Sequence, residues 1–401
     1  MERNDPRYQA YVEILKEELI PAMGCTEPIA LAYAAAKARE VLGVLPDSVQ
    51  LQVSGSIIKN VKSVIVPNTG HLKGMEAAVA AGIIAGSAEK ELEVISEVSE
   101  EKKSAIRDYL QTVPITIEHT EQGHVFDIVV TERCGQDYAR VRIADYHTNI
   151  CRIEKNGTVL YEVPLLDETV QEDARAYRSL LNMQDIWDFA ETADLRDVAD
   201  LLERQIRYNN AIAEEGLLGD YGANIGRVLL TTYGNDVSNR AKAKAAAGSD
   251  ARMNGCELPV IINSGSGNQG ITCSVPLIEY AKELHSGKEK LYRALIISNL
   301  VAIHEKTGIG TLSAYCGAVS AGAGAGAGIV YLCGDGYQAA IHTVVNALAI
   351  VSGIVCDGAK ASCAAKIASS VDAALLGYNM YKCNQEFKGG DGIVMKDIET
   401  T

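Results

Sequence analysis

Large aromatic side chains are scarce in this chain of 401 residues, which carries three Phe and one Trp beside 18 Tyr. With 47% hydrophobic residues a sizeable core is still expected, filled mostly by Ala, Val, Ile and Leu. Positive charge is also short: 37 Lys and Arg against 52 Asp and Glu leave a formal net charge of -15. That balance excludes the basic stripe of a nucleic-acid binder. It also excludes adhesion to an anionic membrane surface. The first residues, "MERNDPRYQAYVEILKEELI", lack the apolar core of a secretory signal, so a cytoplasmic chain is expected. In that compartment thiols stay reduced. The ten cysteines therefore read as core thiols, metal ligands or nucleophiles before they read as disulfides.

The hydrophobic pattern divides the chain. Tyr8, Tyr11, Val12, Leu15 and Leu19 mark one face of a helix over 7–20, and an Ala-rich helix is predicted from Glu27 to Leu42. Pro28 falls in the first turn of that helix, where proline is tolerated. Residues 48–67 read as two short strands around a turn, and 74–86 as a helix. Short alternating runs follow at 112–119, 124–132, 138–145, 148–157 and 158–164, with Asn156-Gly157 as a hairpin turn. From about Asp167 the helical period returns. The expected class is α+β: a mainly helical body of 1–45 and 166–401, with an inserted β-rich unit at 46–165 and a site where the two meet.

Two long stretches, Ile309–Gly334 and Gly336–Cys356, carry no Asp, Glu, Lys or Arg. Their Gly, Ala, Ser, Gln338, His342 and Asn346 make them only weakly apolar, which fits helices buried on all sides of a soluble protein better than membrane spans. Each Gly in "GAVSAGAGAGAG" costs a helix about 1 kcal/mol. Two readings of that cost stay open: tight helix packing, or room for something to approach the backbone.

The candidate chemistry lies at four cysteines and one polar loop. Cys25, in "MGCTEP", precedes Thr26, a candidate N-cap of the Glu27–Leu42 helix. A helix N-terminus lowers a thiol pKa, and Glu27 opposes that. Cys316 lies in "LSAYCGA", and Cys356 and Cys363 in "CDGAKASCA". Asp357 is a candidate N-cap for a helix from Gly358 to about Leu376, which would gather both later thiols near one helix start. The loop "NSGSGNQG" (Asn263, Ser264, Gly265, Ser266, Gly267, Asn268, Gln269 and Gly270) can form a nest of N–H groups ahead of a helix from about Pro276. Such loops hold anions, here a substrate carboxylate, although a polar turn would look the same. Lys59 and Asn60, in "GSIIKN", can reach the site from the inserted unit. His304, Glu305 and Lys306 can aid proton transfer or simply end a helix.

"PAMGCTEP", "NSGSGNQG", "LSAYCGA" and "CDGAKASCA", in this order and spacing, resemble the L-cysteine desulfidase family. They resemble, more distantly, the catalytic domain of iron–sulfur L-serine dehydratases. The resemblance covers nearly the whole chain. It implies a [4Fe-4S] cluster held by Cys316, Cys356 and Cys363 with one iron left open. It also implies that Cys25 is either a base or a temporary fourth ligand. Cys134, Cys151, Cys256, Cys273, Cys333 and Cys383 match no ligand position. The implied reaction is β-elimination of L-cysteine to pyruvate, ammonia and sulfide, without pyridoxal phosphate. The rivals are an iron–sulfur L-serine dehydratase and a non-catalytic iron–sulfur redox sensor. The expected partner is a small amino acid, with neither nucleic acid nor membrane, and self-association is left open.

Overall fold

A computed structural model describes residues 1–120, 124–165, 177–310 and 312–401. The predicted class holds: a mixed sheet joins a mostly helical body. The chain opens with α1 (Pro6–Glu18), where Asp5 caps the Arg7 N–H. The short strand β1 (Pro21–Met23) and the helix α2 (Thr26–Leu42) follow. Six strands then form one sheet: β2 (Ser48–Val53), β3 (Ile115–His119), β4 (Asp127–Cys134), β5 (Asp137–Ala144), β6 (Ile150–Lys155) and β7 (Thr158–Glu162). Their order is β3-β2-β4-β5-β6-β7, with β2 and β3 parallel and the other pairs antiparallel. Asn156 and Gly157 take positive φ between β6 and β7, as the turn residues required.

Residues 48–67 depart from the expected pair of strands. Only β2 is a strand. "GSIIKNV" forms the helix α3 (Gly55–Val61), which buries Ile57, Asn60 and Val61. Ile57-Ile58 suits either state, and packing decided between them. Beyond it lie α4 (Gly74–Ala85) and α5 (Glu100–Thr112). The helix α2 packs on both α4 and the face of β4 and β5, so one continuous core runs from sheet to helices. Gly82 makes this possible, since a Cβ there would stand 2.1 Å from the Ala32 carbonyl oxygen.

The return to helix expected from Asp167 falls partly on 166–176, outside the described residues. Helix is present again in α6 (Met183–Thr192), α7 (Ala199–Leu218), α8 (Ile225–Tyr233) and α9 (Val237–Met253). The strand β8 (Pro259–Ile261) pairs antiparallel with β1. Five long helices complete the body: α10 (Gly267–Glu283), α11 (Lys288–Ile309), α12 (Gly317–Cys333), α13 (Tyr337–Val351) and α14 (Cys363–Lys382). Two starts differ from expectation. The first, α10, begins nine residues before Pro276, which lies inside it. The other, α14, begins at Cys363 with Ser362 at its cap position. Asp357 caps nothing there; its carboxylate pairs with Lys360 and Lys366 instead. Among the described residues no helix is long and apolar enough to cross a membrane.

Packing explains the alternating glycines. α12 lies among α10, α11, α13 and α14. A Cβ at Gly324 would stand 2.4 Å from the Ser298 carbonyl oxygen on α11, and one at Gly322 2.7 Å from the Ser370 Cβ on α14. At Gly328 it would stand 2.6 Å from Leu277 on α10. Small residues thus replace aromatic bulk by letting helix backbones touch. Where α1 meets α6, Phe189 packs edge-on to Tyr8 and Tyr11 at 5.1 and 5.3 Å.

Two predictions follow from this packing. Gly324→Ala gains helix propensity but overpacks, so unfolding by denaturant should show a net loss of about 1–3 kcal/mol. Gly336→Ala, with nothing within 4 Å, should show no such loss. The second concerns Glu132 on β4, which is fully buried and has no hydrogen-bond partner for either carboxylate oxygen among the described residues. Burial pushes its carboxyl well above the ordinary value. A raised carboxyl favours the fold while protonated, so its contribution is complete below the unfolded value of about 4.3 and is lost as pH rises through the folded value. Glu132→Gln should therefore stabilise the protein relative to wild type increasingly as thermal melts move from pH 4.5 to pH 8, by about 1.4 kcal/mol per unit of displacement. A difference independent of pH would refute the reading.

Candidate active site

The pairing of β1 with β8 fixes the first half of the site. Pro21 faces Ile261 and Met23 faces Pro259, so "NSGSGNQG" starts beside Ile20, and Gly24-Cys25 leaves the ribbon at its other end, next to Pro259. Asn209 holds β8 from behind, donating to the Ile261 carbonyl and accepting from its N–H. Gly24 has φ +58°, and a Cβ there would press on Pro67 at 2.7 Å. Cys25 then takes the N-cap position of α2, one residue before the expected cap. Thr26 instead donates its hydroxyl to the Gly265 carbonyl at 2.9 Å, tying α2 to the loop.

The loop is a tight turn. Asn263 and Ser266 exchange backbone hydrogen bonds across Ser264 (φ +49°) and Gly265 (φ +75°). Ser266 occupies the N-cap of α10, whose free N–H groups face outward from Gly267.

The second half comes from the C-terminal third. Tyr315 and Val355 form an antiparallel bridge, with Cys316 N–H donating to Ile354 and Cys356 N–H to Ala314. This clamp sets Cys316 opposite Ile354 and Cys356 opposite Ala314, so the two cysteines stand diagonally across one bridge. Cys316 is the N-cap residue of α12, and Cys363 is the first residue of α14. Gly358 (φ +103°) lets that segment lie against α3, where a Cβ would stand 2.4 Å from the Lys59 carbonyl oxygen. Lys59 returns the contact, its ammonium 3.4 Å from the Cys356 carbonyl oxygen.

The two halves enclose a cavity of about 110 Å³. Cys25, Cys316, Cys356 and Cys363 all line it, and none is in a disulfide. Of the other sequence candidates, Lys59, Asn60, Ser266, Asn268 and Gln269 line it too. Asn263 does not. It is buried behind the loop, bonded to Asn299. Ser264 and Gly265 border a smaller neighbouring hollow with His147. Gly267 serves the loop by being small, because a Cβ there would lie 2.3 Å from the Arg252 Nε. His304 bonds Glu399 near the C-terminus and borders a different cavity, as does Glu305. Lys306 does face the site, and burial pushes its ammonium down to about 8.

The electrostatics overturn one expectation. Cys25 sits at a helix N-terminus, yet burial and the nearby Glu27 charge push its thiol well above the ordinary value. The thiol is neutral and donates to Glu27 Oε2 at 3.0 Å. Glu27 also accepts from Thr26 at 3.1 Å and from Asn60 at 2.8 Å. Burial opposes its charge, but His147, the Cys25 donor and Arg252 outweigh that and hold the carboxyl below its usual range. Burial also raises the Cys316 and Cys363 thiols.

Arg252 and His147 escaped the sequence reading. Arg252 ends the Ala-rich α9 and His147 follows β5, and neither stands in a motif. Both are buried, and Arg252 Nε and His147 Nε2 have no hydrogen-bond partner among the described residues. A charged residue closing a run of alanines was the only signal for Arg252.

The donor set suits an iron–sulfur cluster in kind: reduced thiols on three separate segments, two of them at helix starts and two beside Gly317 and Gly358. Among the described residues no group of three or more His, Cys, Asp or Glu is gathered so as to hold a single metal ion. The thiols surround a space rather than converge on a point.

A family model for the serine dehydratase alpha chain matches residues 89–401. Relatives extend over the whole length. A UPF0597 protein of Desulfitobacterium hafniense is 61% identical over 100% of this chain and 93% of its own. Those of Lachnoclostridium phytofermentans and Treponema denticola are 53% and 47% identical over 98% and 100% of this chain, and 94% of each relative. The chain belongs to the serine dehydratase alpha chain family.

One prediction tests the geometry without chemistry. Gly358→Ala strains a positive φ and forces the Cys356 segment away from α3, which should cost about 1–3 kcal/mol in thermal or denaturant unfolding. Unchanged stability would show that the contact with Lys59 is dispensable.

Proposed function

We propose that this member of the family is an amino-acid β-eliminating lyase, and specifically an L-cysteine desulfidase that needs no pyridoxal phosphate. One observation carries the reading: Cys25, from the first helix of the sheet layer, shares a cavity with three cysteines from the last third of the chain. Cys316, Cys356 and Cys363 would hold a [4Fe-4S] cluster. When bound, its open iron would supply a Lewis acid for the group leaving Cβ. The division into an inserted unit, 46–165, and a body of 1–45 and 166–401 belongs to this proposal, with the site at their junction. So does a cytoplasmic location.

The chain's own residues then account for the proton. Elimination removes hydrogen from Cα while the Cβ–S bond breaks, and sulfide departs. The resulting enamine tautomerises and hydrolyses to pyruvate and ammonia without further help. Cys25 is a neutral thiol and cannot accept a proton until it has lost its own. Glu27, ionised and 3.0 Å away, is the nearest acceptor, and because its carboxyl is held low and the thiol high, the transfer needs a bound cation in the cavity to lower the thiol first. The pair can act as a base with two positions, the thiolate facing the substrate and the carboxylate behind it. Lys306 is the next candidate.

Anaerobic reconstitution with iron and sulfide, followed by sulfide and pyruvate assays on L-cysteine and L-serine side by side, tests the reading. Sulfide from L-cysteine is expected. Pyruvate from L-serine alone would make the protein a serine dehydratase, which the family name favours. A cluster without either activity would leave the redox sensor. Alanine at Cys316, Cys356 or Cys363 should abolish the brown chromophore. Cys25→Ser should keep it and lose about 10²- to 10⁴-fold in sulfide release, the usual worth of a general base. Loss of the chromophore in that variant would make Cys25 a ligand instead.

A further inference from the structure

Arg252 has no role in the proton transfer just described, yet its position is costly. It is 3% exposed, and burial pulls its guanidinium below the ordinary value. Buried guanidinium groups are normally paired. Arg252 makes no hydrogen bond or ion pair among the described residues, and its Nε is left without a partner. Glu27 acts on it only through space, because its oxygens are already taken by Asn60, Thr26 and Cys25. The fold keeps this arrangement deliberately open: Gly267 lacks the Cβ that would lie 2.3 Å from the guanidinium Nε. Gly267 is also the first residue of α10, a helix of 17 residues whose N–H groups are free at that end. A guanidinium and a helix N-terminus therefore meet at one wall of the cavity.

The adjoining groups have the opposite character. Asn268 Oδ1 and Gln269 Oε1 are buried acceptors without donors among the described residues, and both residues line the same cavity. Cation and acceptors side by side match a carboxylate and an ammonium on one carbon. We propose that Arg252, with the start of α10, anchors the carboxylate of a free α-amino acid, and that Asn268 and Gln269 face its ammonium. This rests on the amino-acid lyase reading for the ligand class. It adds a specificity: amides, esters and peptides, which lack a free carboxylate on the carbon that bears the ammonium, are refused. Arg252 binds, and it leaves the chemistry to Cys25 and Glu27.

The test is binding of L-alanine and L-alaninamide to the reconstituted full chain by titration calorimetry. Neither ligand has a leaving group on Cβ, so the result is independent of whether cysteine is eliminated. Failure of the desulfidase reading would show as absent sulfide release, while failure of this proposal would show here. Wild type should prefer L-alanine. Arg252→Gln should weaken L-alanine roughly 10- to 100-fold, the usual effect of losing hydrogen bonds to a charged group, and should leave the amide nearly unchanged. Arg252→Lys should fall between, since it keeps the charge but loses the fork. Equal loss for both ligands, a preference that survives in Arg252→Gln, or no preference in wild type would overturn the proposal. Should Arg252→Gln not fold, wild type labelled with an arginine-specific dicarbonyl supplies the readout. L-alanine should protect Arg252 in the mapped peptides and L-alaninamide should not. Equal labelling with and without L-alanine would count against the assignment.

Discussion

Backbone contact through glycine is the constraint on which the rest of this structure depends. Gly324 on α12 meets a carbonyl of α11, Gly216 on α7 a carbonyl of α9, and Gly82 on α4 a carbonyl of α2, each at a distance that no Cβ could share. These contacts bring long helices close enough for alanine to fill the space between them. The chain has few large rings to spend on a core, and close approach gives it density by another route. Rigid, closely spaced helices then hold their ends in place. The starts of α2, α10, α12 and α14 supply much of the cavity's lining.

Construction from helix starts has an electrostatic consequence. Each start presents unpaired N–H groups, and the cavity also receives Arg252, Lys59 and Lys306. Glu27 is the ionised carboxylate among them, and His147, the Cys25 donor and Arg252 keep it charged despite burial. The cations and helix starts therefore favour a bound anion such as a substrate carboxylate, while burial keeps the Cys25, Cys316 and Cys363 thiols raised, on a protein whose net charge is strongly negative. Local geometry outweighs composition here, since charges beyond about 10 Å are largely screened while buried groups are not.

Burial also reverses the simplest view of Cys25. A thiol before a helix is expected to ionise easily. This one is shut away from water and set 3.0 Å from a carboxylate, so it remains protonated and donates. Helix-end stabilisation of a charge is typically worth about 0.3–1 kcal/mol at exposed positions, too little to offset the burial of a thiolate beside another negative charge. Reactivity must come from Glu27 taking the proton once a bound cation changes the field in the cavity.

The sequence by itself determined the class, the strand segments, the hairpin turn at Asn156-Gly157 and the motifs that carry the site. These are local properties: period, turn residues, and glycines next to cysteines. It misjudged α3, where Ile57-Ile58 suits strand or helix equally, and it placed caps at Thr26 and Asp357, where composition allowed them but the chain did not use them. It was silent on Arg252 and His147, because a lone charge in an alanine-rich helix and a lone histidine after a strand carry no spacing to read. Only the tertiary structure decided that the pairing of β1 with β8 and the bridge from Tyr315 to Val355 would bring Cys25 within one cavity of Cys316, Cys356 and Cys363. Those contacts join segments hundreds of residues apart. They depend on which backbones can touch, and that is a property of the packed whole rather than of any stretch of sequence.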